Sequence, residues 1–261
     1  MRFGICTSLD NARLLKETGY DYIELNASKT MQLTDKEIQD GQAMLRDLDL
    51  RAESWNVLFP KTINIVDGSF SDSDLQELDE KIFSMIEGFG GKVVVFGSGK
   101  ARTCPEGEDF STCYGRLLQA VRLTGKIAAQ HGVEIVIEPL SRAETNMINT
   151  LEEGAILAAD AQMDNVSLLC DYFHVMKNAD DLDYIRFLKP LKHIHIAAAA
   201  GRKYPLSREG EQYEKLFANL KAAGYDGRMS IEGKTDDIAK DAPQALKLLK
   251  ELEKEAGKEQ A

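Results

Sequence analysis

The chain has 261 residues, 43% of them apolar, which is enough to bury one full α/β core. A formal charge of −11, spread along the chain, argues against a nucleic-acid partner, because neutralising phosphates requires a basic face. No apolar run has the length of a signal or membrane helix, and Cys6, Cys104, Cys113 and Cys170 form no CxxC pair. The sequence therefore predicts a soluble, cytoplasmic protein with reduced thiols and no membrane partner.

The first β-prone run covers residues 3–7, and others follow at 22–26, 51–56, 92–97, 134–138, 167–171, 193–197 and 228–232. Amphipathic stretches with helical spacing lie between them, at 35–48, 72–88, 109–130, 151–161 and 210–223, with a last one at 239–254. Thr34, Ser71 and Thr150 stand where N-caps belong, and Thr150 with Glu153 reads as a capping box. Gly19, Gly132 and Gly224 supply left-handed stops before the next strand, and His131 reads as a helix-end cap. The polar tail, residues 255–261, is expected to fray.

Strands alternating with helices imply a parallel sheet. Eight such units without a linker predict a single-domain (β/α)8 TIM barrel over residues 1–261. A doubly wound open sheet is the alternative, but it favours a glycine-rich turn after its first strand, and Cys6-Thr7-Ser8-Leu9 is not one. The connections at 97–109 and 197–210 are longer than the topology needs, and both follow strands, on the side where barrels build active sites.

Ionisable residues end the last four strands: Glu138, Asp171, His195 and Glu232. Such groups at the ends of apolar strands cost several kcal/mol unless paired or metal-bound, about as much as a buried unpaired charge. Four oxygen and nitrogen donors without a cysteine suit one divalent ion rather than a structural zinc. Mn2+ is placed first, with Mg2+, Co2+ and Zn2+ as alternatives. His193 points the same way as His195 but lies deeper, as a substrate-proximal or supporting group or a packing residue. His174, three residues past Asp171, is read as a loop residue able to donate to a substrate oxygen. Cys6, Glu24, Asn26, Trp55 and Asn56 end the first three strands and form walls; Trp55 is placed either to stack on a sugar face or to pack at the rim. Arg102, Arg142, Arg202 and Lys203 are candidates to hold a phosphate or carboxylate.

Residues 137–145 (IEPLSRAET), Asn149-Thr150, 171–174 (DYFH), 193–195 (HIH) with Arg202, and 231–233 (IEG) resemble the sugar phosphate isomerase/epimerase family of xylose isomerase-like barrels. That family includes D-tagatose and D-psicose 3-epimerases and hydroxypyruvate isomerase. The resemblance implies that Glu138, Asp171, His195 and Glu232 hold the metal and that Glu138 and Glu232 are also the acid/base pair. It further implies that His174 and Arg202 hold substrate oxygens, with Glu144 beside them. The implied activity is isomerisation or epimerisation of a small sugar, ketose or keto acid through a metal-stabilised cis-enediolate. Where family members commonly carry an acidic residue soon after HxH, this chain has Ala197 to Ala200. Competing readings are a lyase or dehydratase on a polyol or keto-sugar, an endonuclease IV-like repair enzyme, and a non-catalytic sugar-binding barrel. Four histidines in total and the acidic charge oppose the nuclease, and retention of both glutamates opposes the non-catalytic barrel. The chain is left open between a monomer and a homo-oligomer.

Overall fold

In the computed structural model of the protein, which describes residues 1–258 except Pro190, the β-prone runs pair in parallel and in chain order. β1 (Arg2–Cys6), β2 (Tyr22–Asn26), β3 (Ser54–Asn56), β4 (Val93–Phe96), β5 (Glu134–Ile137), β6 (Val166–Asp171), β7 (Leu191–Ile196) and β8 (Arg228–Ile231) form a closed barrel, with β8 paired to β1. The expected eight-stranded α/β barrel is observed, and the strand positions agree with the sequence to within about three residues. Helices α1 (Ala12–Thr18), α2 (Ala27–Thr30), α3 (Asp35–Asp47), α4 (Asp72–Gly88), α5 (Phe110–Gln130), α6 (Leu151–Ala161), α7 (Tyr172–Asn178), α8 (Tyr213–Ala222) and α9 (Ile238–Ala256) lie in the connections and after β8.

Successive side chains on a strand face opposite ways, so each strand feeds two cores. Outward residues such as Leu25, Trp55, Val94, Ile135, Leu168 and Ile194 meet helix residues such as Leu45, Phe83, Leu117 and Leu249 in the large apolar layer between barrel and helices. The barrel interior is not uniform. Val93, Val95, Val136 and Leu169 form a separate apolar cluster on the β4–β6 side. Glu24, Ser54, His193 and Ser230, all buried, make the other side polar.

Helix starts follow the local rules. Thr34 and Ser71 each form a complete capping box, and Thr150 Oγ1 accepts from the Glu153 N–H. The Glu153 carboxylate reaches instead to the Asn149 N–H at 2.5 Å, so the expected box at Thr150 closes one residue early. Two short helices escaped the sequence reading. One is α2; the other is α7, which starts directly from β6 because Asp171 Oδ1 accepts from the N–H groups of Phe173 and His174, at 2.7 and 3.3 Å. His174 is therefore a helical residue, not a loop residue.

The thiol expectation is corrected at two positions. Cys104 and Cys113 are joined by a disulfide, their Cα atoms 5.8 Å apart, because the loop after β4 folds back onto the first turn of α5. Cys6 and Cys170 are free. The tail is helical through Ala256 in α9, and residues 259–261 lie outside the described residues. None of the described helices is long and apolar enough to cross a membrane.

Candidate active site

The inward positions climb each strand in steps of two, and the polar site is the top step. Val136 leads to Glu138, Leu169 to Asp171, His193 to His195 and Ser230 to Glu232. The barrel thus brings Glu138, Asp171, His195 and Glu232 together, with one ligand atom from each lying within 4.8 Å of all the others. His195 Nδ1 is 3.4 Å from Glu138 Oε1, 3.3 Å from Glu232 Oε2 and 4.0 Å from Asp171 Oδ2. Glu138 depends on Gly97 at the end of β4, where a Cβ would collide with its carboxylate.

Two atoms of this cluster, Glu138 Oε1 and His195 Nδ1, are buried without a hydrogen-bond partner. Buried polar atoms are seldom left so, and two of them facing one point beside two further carboxylates fit a bound cation. The donor set, three carboxylates and one imidazole, is that of a hard or borderline divalent ion. These residues form a possible metal site.

Glu24 supports it from below. This fully buried carboxylate accepts from His195 Nε2 through Oε1 and from His193 Nε2 through Oε2, both at 2.8 Å, and also accepts from Ser230 Oγ at 2.5 Å. With Nε2 of His195 donating to Glu24, Nδ1 faces the cluster and would offer its lone pair to a cation; without one, burial opposes the charged ring but Glu24 and Glu232 raise its pKa well above the usual value. Tyr22 and Ser54 extend the network, through Tyr22 Oη to Ser230 Oγ at 2.8 Å and Ser54 Oγ to His193 Nε2 at 3.1 Å. Burial raises Glu24's pKa, but His195 and His193 more than reverse this, and it stays well below the usual carboxylate range.

The two glutamates titrate apart. Burial pushes Glu138 up, and the nearby charges of Glu232 and Asp171 add to this against the pull of His195. Burial also disfavours the Glu232 carboxylate, yet His195 and Arg202 hold its pKa down at about 2. The site therefore sets a carboxyl whose pKa is raised by burial opposite one held ionised.

Arg202, Glu144 and His174 gather at one end of the cluster. Gly201 and Arg202 are both left-handed, with φ of 76° and 53°, and this tight turn aims the guanidinium inward. Arg202 Nη2 donates to Glu232 and lies 3.3 Å from Asp171 Oδ2, Nη1 lies 3.5 Å from Glu144 Oε1, and the guanidinium sits 4.9 Å over the Phe173 ring. His174 Nδ1 accepts from the Ser141 N–H at 3.1 Å, so the proton resides on Nε2, which is buried and unpartnered 3.8 Å from Asp171 Oδ2. Asn56, on β3, donates to Glu232 Oε1 at 2.9 Å.

Three expectations are corrected. Trp55 does not reach the mouth: it is an outward residue on β3, fully buried, donating to the Ala52 carbonyl at 2.9 Å and packed edge-on against Phe89. His193 is not substrate-proximal: it lies one step below His195, buried between Glu24 and Ser54. Arg102 does not hold a phosphate. It is wholly buried and braces two strand ends by donating to the carbonyls of Phe96 (2.8 Å) and Glu138. Arg142 and Lys203 stay exposed, so of the four cations only Arg202 enters the site. The residue that sequence reasoning undervalued is Glu24. Its signal was available: a glutamate in the apolar strand YIELN, at an inward position.

Residues 12–252 match the family model described as "Xylose isomerase-like TIM barrel", and the chain belongs to that family. It is 25% identical to the 3-dehydro-D-guloside 4-epimerase of Escherichia coli (strain K12) over 240 residues, 87% of each protein. It is 30% identical to the D-psicose 3-epimerase of Ruminiclostridium cellulolyticum over 119 residues, 45% of this chain and 40% of that protein. A crystal structure of a D-psicose 3-epimerase in the presence of D-fructose superposes with a TM-score of 0.86 at 19% identity, covering 97% of this chain and 99% of the other. Curated relatives also include a 2-oxo-tetronate isomerase of Pectobacterium atrosepticum, 30% identical over 142 residues, 51% of this chain and 53% of that protein. The protein is an enzyme of the epimerase and isomerase kind.

Proposed function

We propose that the protein epimerises or isomerises a small polyhydroxylated ketone or aldehyde by moving one proton between Glu138 and Glu232. The observation that carries this reading is the cluster of Glu138, Asp171, His195 and Glu232, with Glu138 Oε1 and His195 Nδ1 buried and unpartnered at its centre.

Glu138, Asp171, His195 and Glu232 would hold the metal, and from this donor set we place Mn2+ first. When bound, the ion would supply Lewis-acid polarisation of the carbonyl and a template for the adjacent hydroxyl. The chain's own residues do the rest. Glu138 and Glu232 end β5 and β8, three strands apart, and flank the space over His195 from two sides. One carboxylate removes the proton from the carbon beside the carbonyl, and the other returns a proton from its own face or to the neighbouring carbon. His174 Nε2 donates to a substrate oxygen, and Arg202 offsets the charge that develops when the proton leaves. Glu144 lies 3.5 Å from Arg202 Nη1 and orients the guanidinium, while the Ser141 N–H fixes the His174 ring. Asn56 fixes the Glu232 carboxylate through Oε1.

The curated relatives named above act on a dehydro-guloside, D-psicose and a 2-oxo-tetronate, compounds with a ketone beside at least one carbinol carbon. We assign this chain the same functional group. The nuclease reading gains nothing from the structure: among the described residues, the two clusters of candidate ligands share the single histidine His195. The test is proton exchange. Mn2+-loaded protein incubated in D2O with keto-sugars and related keto compounds should place deuterium at the carbon beside the carbonyl. No exchange with any of them, with metal bound, would overturn the reading.

A further inference from the structure

We propose that the cleft over β1–β3 binds an uncharged glycosidic group attached to the reacting keto-sugar, so that the substrate is a keto-glycoside rather than a free ketose or a sugar phosphate. This rests on the epimerase or isomerase reading above and narrows it.

The cleft has a volume of about 570 Å³, well inside the range of about 300–1,000 Å³ for small-molecule sites. Its floor is made by Cys6, Asn26 and Asn56 at the tops of β1, β2 and β3. Asn56 is bonded to Glu232, and the Cys6 thiol lies with Glu24 and His195 in one cluster of atoms within 4.8 Å. The cleft therefore lies one residue away from the proposed ligands, with Asn56 and Cys6 between. Its far wall is α3, from Glu37 through Asp40 and Gly41 to Met44. At 1.5 Å per residue those seven steps span about 10 Å of helix, more length than a single sugar ring needs.

Direction follows from the other end of the site. Arg202, Glu144 and His174 occupy the side over β5–β7, where the proposed function has His174 and Arg202 meet the oxygens near the reacting carbons. A substrate anchored there extends the other way, across the mouth and into the cleft.

Chemistry follows from the lining. Asp10, Glu37 and Asp40 present three carboxylates, against the ammonium of Lys29 and that of Lys36, which pairs with Asp40 at 2.5 Å, so the lining keeps a net negative charge. A phosphate or carboxylate on the substrate would meet net repulsion there. Leu9, Leu25, Leu33 and Met44 supply apolar surface between these polar groups. An apolar wall edged by hydrogen-bond acceptors matches a sugar ring, whose faces are CH-rich and whose rim carries hydroxyls that donate.

The test compares three compounds on the Mn2+-loaded enzyme in D2O: a keto-glycoside bearing a second hexose ring, a free ketohexose, and a ketohexose 6-phosphate. The expected order of kcat/KM for exchange is keto-glycoside first by at least tenfold, then the free ketose, with the phosphate last. Met44→Trp and, separately, Leu33→Trp fill the cleft away from the reacting groups. Each should lower kcat/KM for the keto-glycoside at least tenfold while leaving the free ketose within about twofold, and retained ketose exchange reports an intact fold. Equal or faster exchange with the free ketose or the phosphate overturns the proposal and leaves the isomerase reading standing. Parallel losses on both compounds in both variants also overturn it. Exchange with none of the three overturns the reading on which it rests.

Discussion

The two arcs of the barrel mouth differ in what they carry. β5–β8 end in Glu138, Asp171, His195 and Glu232, ionisable groups whose burial is tolerable only in one another's company or around a cation. β1–β3 end in Cys6, Asn26 and Asn56, with Glu24 one step below, and these residues floor a cleft and brace the other arc. The contrast separates two jobs. Groups that move protons must be few and fixed, whereas groups that select a substrate can be ordinary polar and apolar side chains placed at the right distance.

The largest effect should come from the charged arc. Glu138→Gln and Glu232→Gln each remove a proton carrier while keeping the shape, and general acid–base catalysis contributes about 10²–10⁴-fold. Deuterium exchange should fall by that factor in each variant, with thermal melting little changed. An exchange rate within tenfold of the parent in either variant would remove that residue from the acid/base pair.

A buried carboxylate remote from both arcs shows what happens without a cation. Asp79 of α4 is wholly buried against α5, with Oδ2 accepting from Thr124 Oγ1 at 2.7 Å and Oδ1 unpartnered. Burial raises its pKa from 3.8 to about 7. An acid whose pKa is raised on folding binds its proton more tightly in the folded state. Its penalty is therefore absent below about pH 4, grows as pH rises towards 7, and is complete above that. Asp79→Asn should stabilise the protein by up to about 4 kcal/mol at pH 8, three pKa units at about 1.36 kcal/mol each, and by almost nothing at pH 4. Urea midpoints at the two pH values check this; an equal change at both would show that the carboxylate is not the cause.

Glu24 links the arcs and should act on metal affinity. Losing a carboxylate that orients a ligating histidine typically costs about 10–100-fold in metal binding. Glu24→Ala should weaken Mn2+ binding by that factor in calorimetry, with kcat at saturating metal reduced much less than in Glu138→Gln. An unchanged Mn2+ Kd would detach Glu24 from the site.

The smallest effect is expected at Trp55. Trp55→Phe removes the hydrogen bond to Ala52 and should cost about 1 kcal/mol of stability. Its kcat and KM should stay within about twofold, because the ring faces the helix layer. A tenfold rise in KM would restore the sugar-stacking role expected from the sequence.

The sequence by itself determined the barrel and the four ionisable residues that gather at its mouth. Strand and helix periods are local properties, and each of Glu138, Asp171, His195 and Glu232 ends an apolar run where solvation physics makes it conspicuous. It also showed His174, Arg202 and Glu144, because they stand near those runs and carry the family resemblance. Closure of β8 onto β1 decided what local pattern cannot express. It brought Glu24 of β2 within 2.8 Å of two histidines 169 and 171 residues away. It turned Trp55 outward through the register of the three-residue β3, and it buried Arg102 as a brace between strand ends. The path of the loop between β4 and α5, rather than any spacing pattern, folded Cys104 against Cys113. The ionisable residues at the mouth were legible because their burial is costly on any single strand. The support beneath them and the cleft beside them came into view only in the closed barrel, since their meaning lies in distances between residues far apart in the chain.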